Sequence, residues 1–252
     1  MCNDCSRRKD AVGRWLSLVG LLWPAVLAVG CSGPSARQPP EREPSLAAQV
    51  ELVRSGKLEQ IQLETTPLTD DDLKRVAGLA SLRALLIDDP RSVITAAGIV
   101  AMGDLPSLSH LRVRGEGIDD AALAAIGRFK GLKILNLPRG RFSSEGLKAL
   151  AELPQLEQLR FHAPQVDDAG METLAAMPAL KRIHLIGVPI TEKGLLALAT
   201  MPQLESLYVD DTPLPDSAWS AFFRQREEMG KPVHVHVDEQ HHDRDPHGHA
   251  HP

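Results

Sequence analysis

Apolar residues recur on a fixed spacing from residue 58 onward. Leucine opens each of seven units, at Leu58, Leu82, Leu108, Leu132, Leu156, Leu180 and Leu204, in steps of 24, 26, 24, 24, 24 and 24 residues. Each unit reads L-x-x-L-x-L with aliphatic exchanges, as in "LEQLRF" at 156 and "LKRIHL" at 180. Such alternation predicts a short, half-buried strand. A further apolar residue follows five positions after the last strand position, at Leu68, Ile118, Phe142, Val166, Ile190 and Leu214. In the second unit that step is seven, Ile87 to Ile94, which places two extra residues in the loop "DDPRSV".

A helix signal comes next. Thr69, Thr95, Asp119, Ser143, Asp167 and Thr191 share one column, and all are residue types whose side-chain oxygen caps a helix N-terminus. Apolar residues follow at helical spacing, as in Leu147, Leu150, Leu153; Met171, Leu174, Met177; and Leu195, Leu198, Met201. Pro106, Pro154, Pro178 and Pro202 close several of these helices, because proline cannot continue the turn. Each unit is therefore a strand, a loop and a short helix. One unit alone cannot bury its apolar face, but stacked copies can, which predicts an α/β solenoid. Exchange among aliphatic residues is tolerated because volume is roughly kept, while the spacing must persist so that every unit meets the shared core.

The helix starts "LTDDDL" (68–73), "ITAAGI" (94–99), "FSSEGL" (142–147), "VDDAGM" (166–171) and "ITEKGL" (190–195) carry the signature T-D-x-G-L. With the 24-residue period, they make residues 58–222 resemble the leucine-rich repeat family, in its bacterial, ribonuclease-inhibitor-like form. The resemblance implies a horseshoe with a parallel sheet on its concave face and helices on its convex face. The column that often holds asparagine in that family reads Thr66, Glu116, Gly140, Pro164, Val188 and Thr212 here.

Both ends of such a stack need lids. Leu46, Val50 and Val53 fall on one face of a helix within 45–57, the expected N-terminal cap. Beyond the seventh repeat, "DSAWSAFFRQREEMG" reads as a longer helix with Trp219, Phe222 and Phe223, and Val233, Val235 and Val237 alternate as a terminal strand. We place the C-terminal cap at 223–238, and a disordered tail at 239–252. At 4% aromatics the core must be aliphatic.

The first 30 residues read differently. A basic stretch, "SRRKDAVGR", precedes the apolar run "WLSLVGLLWPAVLAVG", which has signal-peptide length and Pro24 near its middle. "LAVGC" then resembles the lipobox of bacterial lipoproteins, which implies lipidation of Cys31 and removal of residues 1–30. Plain secretion with cleavage near Gly30 and an uncleaved anchor are the alternatives. Residues 31–44, with several prolines and mixed charge, read as a lipidated cysteine and a disordered tether. By resemblance the protein is extracytoplasmic and lipid-anchored to the envelope, in the outer membrane of a two-membrane bacterium. The three cysteines are Cys2, Cys5 and Cys31, so the repeats hold no disulfide, thiolate metal site or cysteine nucleophile.

The formal net charge of -5 and the lack of a dense basic run argue against a nucleic-acid partner. Family geometry turns the x positions of L-x-x-L-x-L toward the concave face, where repeat proteins bind. There Arg112, Asn136, Arg160, His184 and Tyr208, with His110, Arg114, Arg139, His162 and Arg182 beside them, form a basic stripe over repeats three to six. Glu64, Asp88 and Asp89 flank it at one end, and Asp210 and Asp211 at the other. This pattern points to an acidic partner, a protein or an envelope polymer. The alternative is solvated arginine balancing nearby acids. No H-E-x-x-H, G-x-S-x-G or phosphate loop occurs, so an enzyme is not expected.

Seven of the ten histidines lie near the C-terminus: His234, His236, His241, His242, His247, His249 and His251. His234 and His236 share one strand face. Imidazoles interspersed with Asp238, Asp243 and Asp245 suit zinc, copper or nickel, which makes a metal-handling protein the competing functional class. The bland alternative is a solvated tail that gains charge below about pH 6.5.

Overall fold

Alternating burial along each unit produces one strand per repeat, and the computed structural model describes residues 43–238 and 240–241. The strands are β1 (Gln60–Leu63), β2 (Ala84–Ile87), β3 (His110–Val113), β4 (Ile134–Leu137), β5 (Gln158–His162), β6 (Arg182–Ile186), β7 (Ser206–Asp210) and β8 (His234–Val237). They lie in chain order, each parallel to the next, and β9 (Gln240–His241) adds an antiparallel edge on β8. Helices α1 (Leu46–Arg54), α2 (Asp70–Leu73), α3 (Ala96–Ala101), α4 (Asp120–Ile126), α5 (Ser144–Ala151), α6 (Asp168–Ala175), α7 (Glu192–Ala199) and α8 (Asp216–Glu228) supply the other layer. This is an α/β leucine-rich repeat solenoid. Helices need about 8–10 Å between axes and strands only about 4.8 Å, so the stack curves with its sheet on the inner side.

The inward columns are fully buried: Leu111, Leu135, Leu159, Ile183 and Leu207 along one, Leu150, Leu174 and Leu198 along the helices. At about 1.5–3 kcal/mol per buried side chain, these columns dominate stability. Leu58 departs from its column, at 38% exposure. The later unit-opening leucines are covered by the preceding repeat, and Leu58 has none before it.

All six expected cap residues sit at helix N-caps. The structure adds a link between neighbouring helices that explains the rest of the T-D-x-G-L signature. The first-turn aspartate of one repeat accepts from both the amide and the hydroxyl of the next repeat's cap. Asp70 takes Thr95 N–H at 2.8 Å and its hydroxyl at 2.6 Å. Asp120 does the same to Ser143 at 2.7 and 2.8 Å, and Asp168 to Thr191 at 2.8 and 2.6 Å. Where the next cap is an acceptor, the preceding residue is not acidic: Ala96 precedes Asp119, and Ser144 donates its hydroxyl to Asp167 at 2.6 Å. The signature glycine leaves room for the reaching carboxylate. A Cβ on Gly98, Gly146 or Gly194 would lie 2.2–2.3 Å from an oxygen of Asp70, Asp120 or Asp168 respectively.

Polar side chains close both ends. Gln49, buried on the apolar face of α1, accepts from Gln62 N–H at 2.9 Å and donates to Gln62 C=O at 2.8 Å. It occupies the backbone pairing that a preceding strand would make, which blunts the sheet edge. Arg226, buried on α8, donates to Lys231 C=O at 2.8 Å, Ala199 C=O at 3.2 Å, Leu204 C=O at 3.1 Å and Met201 C=O. It thereby satisfies carbonyls at the end of α7, which has no further repeat beyond it. Helix α8 is continuous through Phe222 and Phe223, so the expected boundary between 222 and 223 falls inside one element. The expected tail likewise starts with strand pairing, at β9. The expected leader and Cys31, most of the tether, and His242, His247, His249 and His251 lie outside the described residues.

Candidate binding face

Parallel register stacks the outward residues of each strand into columns that cross the sheet. The central column is Gln62, Leu86, Arg112, Asn136, Arg160, His184, Tyr208 and His236. Beside it run His110, Ile134, Gln158, Arg182, Ser206 and His234. Nine of the ten predicted binding residues thus share one surface. Arg139 does not join them: it follows the end of β4 in an exposed turn, because that strand stops at Leu137.

Two of the acids expected as flanks, Asp88 and Asp210, act inside the stripe. Asp88 accepts from Arg112 at 2.8 and 2.9 Å and from Arg114 at 3.4 Å, so one carboxylate offsets two guanidinium groups. Asp89 takes no part in the face: it is buried, and accepts from Arg91 N–H at 2.8 Å within the inserted loop. Arg182 makes a looser pair with Glu205 at 3.7 Å. Asp210 accepts from Nε2 of His184 at 2.6 Å, which places the proton on Nε2. Burial lowers the pKa of His184 below the ordinary 6.5, Asp210 opposes that, and the positive charge of Arg160 adds to it. Burial and then Arg112 lower His110 in the same way.

His162 donates from Nδ1 to Ile186 C=O at 2.8 Å, since a carbonyl can only accept. Gly187, at φ +58°, lies against that ring, and a Cβ there would come within 3.1 Å of it. Tyr208 is sandwiched in a ladder of rings, 4.6 Å from His236 at 11° and 5.3 Å from His184 at 35°. Its two faces are covered by imidazoles, and His234 meets the ring edge-on at 6.4 Å.

Arg160 differs from the other arginines of the stripe. It is half-buried, and among the described residues no carboxylate pairs with it. Its Nε is buried without a hydrogen-bond partner, as are Nε of Arg112 and of Arg114 and Oδ1 of Asn136 beside it in the column, so the missing carboxylate is what sets Arg160 apart. A guanidinium without a carboxylate partner suits a carboxylate or another planar or tetrahedral oxyanion, whereas the Asn136 oxygen, an acceptor, would take a donor of the same ligand. The sequence carries a signal for the pairing of Asp88: it lies 26 residues before Arg114, the step between the second and third units.

His234 and His236 share the outer side of β8, with ring centroids 4.4 Å apart and their Nε2 atoms in contact. Among the described residues no group of three or more His, Cys, Asp or Glu is placed to hold a metal ion. No nucleophilic hydroxyl or thiol is hydrogen-bonded to the His184–Asp210 pair among them either.

No family model matches the chain, and no curated protein matches it. Among solved structures, the crystal structure of a TLR13–ssRNA13 complex aligns with 68% of this chain at 20% identity and a TM-score of 0.47. The chain spans 24% of the length of that neighbour.

Proposed function

We infer that the chain is a non-enzymatic interaction module of the cell envelope, whose open sheet face binds an acidic partner, a protein or an envelope polymer. The observation that carries this reading is Arg160, half-buried at the centre of the face and without a carboxylate partner among the described residues. Solenoids present extended inner surfaces, and fully repeated side-chain columns suit a partner that lies across several strands. Partial burial makes the contact with an incoming carboxylate stronger than a surface ion pair, because water screens it less. Nucleic acid fits less well, because Tyr208 is stacked between His184 and His236 and offers a base no open face. Anchoring through lipidated Cys31 rests on the lipobox resemblance.

Two substitutions of opposite sign test the face. Arg160→Glu should abolish capture of the partner from envelope extract, whereas Asp88→Asn, by releasing Arg112 and Arg114, should strengthen it. Far-UV circular dichroism confirms that each variant is folded. Equal capture by wild type and Arg160→Glu would overturn the reading, as would displacement of the captured partner by single-stranded RNA at physiological salt. For the anchor, Cys31→Ala should move the protein from the membrane pellet to the soluble fraction, and unchanged pelleting would refute lipidation.

A further inference from the structure

We propose that His184 is a proton switch for the anion site at Arg160: a proton on its imidazole and an oxyanion on Arg160 strengthen each other's binding. The proposal rests on the acidic-partner reading and adds to it a response to pH.

The two residues are register partners on adjacent strands, Arg160 on β5 and His184 on β6, about 4.8 Å apart along the sheet. Both side chains leave the same face, and both are half-buried, so water screens their repulsion less than it would on an open surface. His184 already donates its Nε2 proton to Asp210 at 2.6 Å. A second proton therefore goes to Nδ1 and turns that hydrogen bond into an ion pair. Tyr208 backs the imidazole at 5.3 Å and holds the ring in place in either charge state.

The groups around the ring decide what opposes the proton. On β7 lie the carboxylate of Asp210, in contact with it, and Tyr208, its register partner. On β5 lie Arg160 and, further along the same face, His162, whose Nδ1 is engaged with Ile186 C=O. On β6 itself Arg182 is drawn toward Glu205 at 3.7 Å, and beyond Tyr208 stands His236. Burial and the positive charge of Arg160 oppose the imidazolium, burial being the larger, while Asp210 favours it. Of the two arginines in this set, only Arg160 lacks a carboxylate partner among the described residues. An oxyanion docked on Arg160 cancels its repulsion of the proton. The complex then takes up a proton more readily than the free protein, so affinity rises as pH falls.

The test follows the His184 imidazole by NMR through a pH titration of the full chain at fixed ionic strength. It is run without ligand and with saturating poly-L-aspartate, whose carboxylates stay ionised above about pH 5. Poly-L-aspartate should raise the titration midpoint by an amount equivalent to about 5-fold tighter binding to the imidazolium form. Arg160→Gln should raise the midpoint with no ligand present and abolish the response to it. Arg160→Lys, which keeps the charge, should stay near wild type. In a parallel binding assay, His184→Gln should cut the gain in affinity between pH 7.5 and 5.5 by about the same 5-fold. A midpoint indifferent to poly-L-aspartate that binds through Arg160 would overturn the switch and leave the acidic-partner reading standing. So would an unchanged midpoint in ligand-free Arg160→Gln. Failure of poly-L-aspartate to bind at either pH, or equal binding by Arg160→Gln, would overturn both.

Discussion

Replacing Gly146 by alanine should destabilise the protein in its wild-type setting and stabilise it once Asp120 is also alanine. Gly146 lies in the first turn of α5, where alanine is preferred to glycine by up to about 0.8–1.0 kcal/mol. In this fold, however, a Cβ at 146 would sit 2.2 Å from Oδ1 of Asp120 and 2.7 Å from its Cγ. Those atoms cannot move away freely, because the carboxylate is held by the amide and hydroxyl of Ser143, whose Oγ in turn accepts from Gly146 N–H at 3.4 Å. Overpacking of this kind costs about 1–3 kcal/mol, which outweighs the helix preference and leaves a net loss of about 1–2 kcal/mol. Asp120→Ala alone removes two charge-assisted hydrogen bonds to exposed donors, a further loss of about 1–2 kcal/mol. In the double variant the carboxylate is gone, and the nearest named atom left is the Cα of residue 120 at 3.2 Å. Alanine at 146 then costs little and gains its helix preference. The double-mutant cycle should show coupling of about 2 kcal/mol, far above the roughly 0.3–0.5 kcal/mol scatter of independent sites. Equilibrium urea unfolding of the four proteins measures it. Gly170 is the internal control: its Cβ would meet Val166 Cγ1 at 2.6 Å, so Ser144→Ala should not rescue Gly170→Ala. Additive effects at Gly146 and Asp120, or rescue at Gly170, would refute the account of the signature glycine.

Arg226→Met should lower stability by about 3–5 kcal/mol in the same assay, since methionine fills the space but leaves buried carbonyls of Ala199, Met201 and Leu204 unsatisfied. A loss below about 1 kcal/mol would show that water replaces the guanidinium there. Gln49→Leu should cost about 1–3 kcal/mol and leave the Gln62 backbone groups unpaired on the edge of β1. The accompanying self-association should appear in sedimentation velocity, and an unchanged monomer of unchanged stability would argue against edge protection. Acid sensitivity follows from His110 and His184, whose folded pKa values are held below 6.5. The unfolded chain binds protons first, so their contribution is full above about pH 6.5 and is lost as pH falls through the folded values. Urea midpoints should therefore decline from pH 7.5 to 5.5, with a shallower slope in the His110→Asn/His184→Asn variant; an identical slope would place the sensitivity elsewhere.

The repeat was legible because solenoid contacts recur at one chain separation, so the apolar columns and the cap column report the same period. Interactions that break the period were harder to read. Leu58 has the letter of its column but no neighbour to cover it. Gln49 stands on the buried face between Leu46 and Val53, and a polar residue at such a position is the mark of a side chain that pairs with backbone. The link from Asp120 to Ser143 was present as a correlation: acidic first-turn residues precede hydroxyl caps, and Ala96 or Ser144 precedes aspartate caps. Charge was misread for a related reason. In a parallel, in-register sheet, residues one repeat apart in sequence are neighbours in space, so acids at the flanks of the chain pattern cannot be treated as distant from the arginines. Taken across neighbouring strands, Asp88 belongs with Arg112 and Arg114, and Asp210 with His184. Within the central column Arg112 lies between Leu86 and Asn136 and Arg160 between Asn136 and His184, and of the two only Arg112 has a carboxylate partner, Asp88, among the described residues. A stripe that looks broadly basic in sequence is therefore one carboxylate shared by Arg112 and Arg114, one loose pair at Arg182 and an Arg160 without a carboxylate partner, and the specificity of the face should turn on Arg160 rather than on its overall charge.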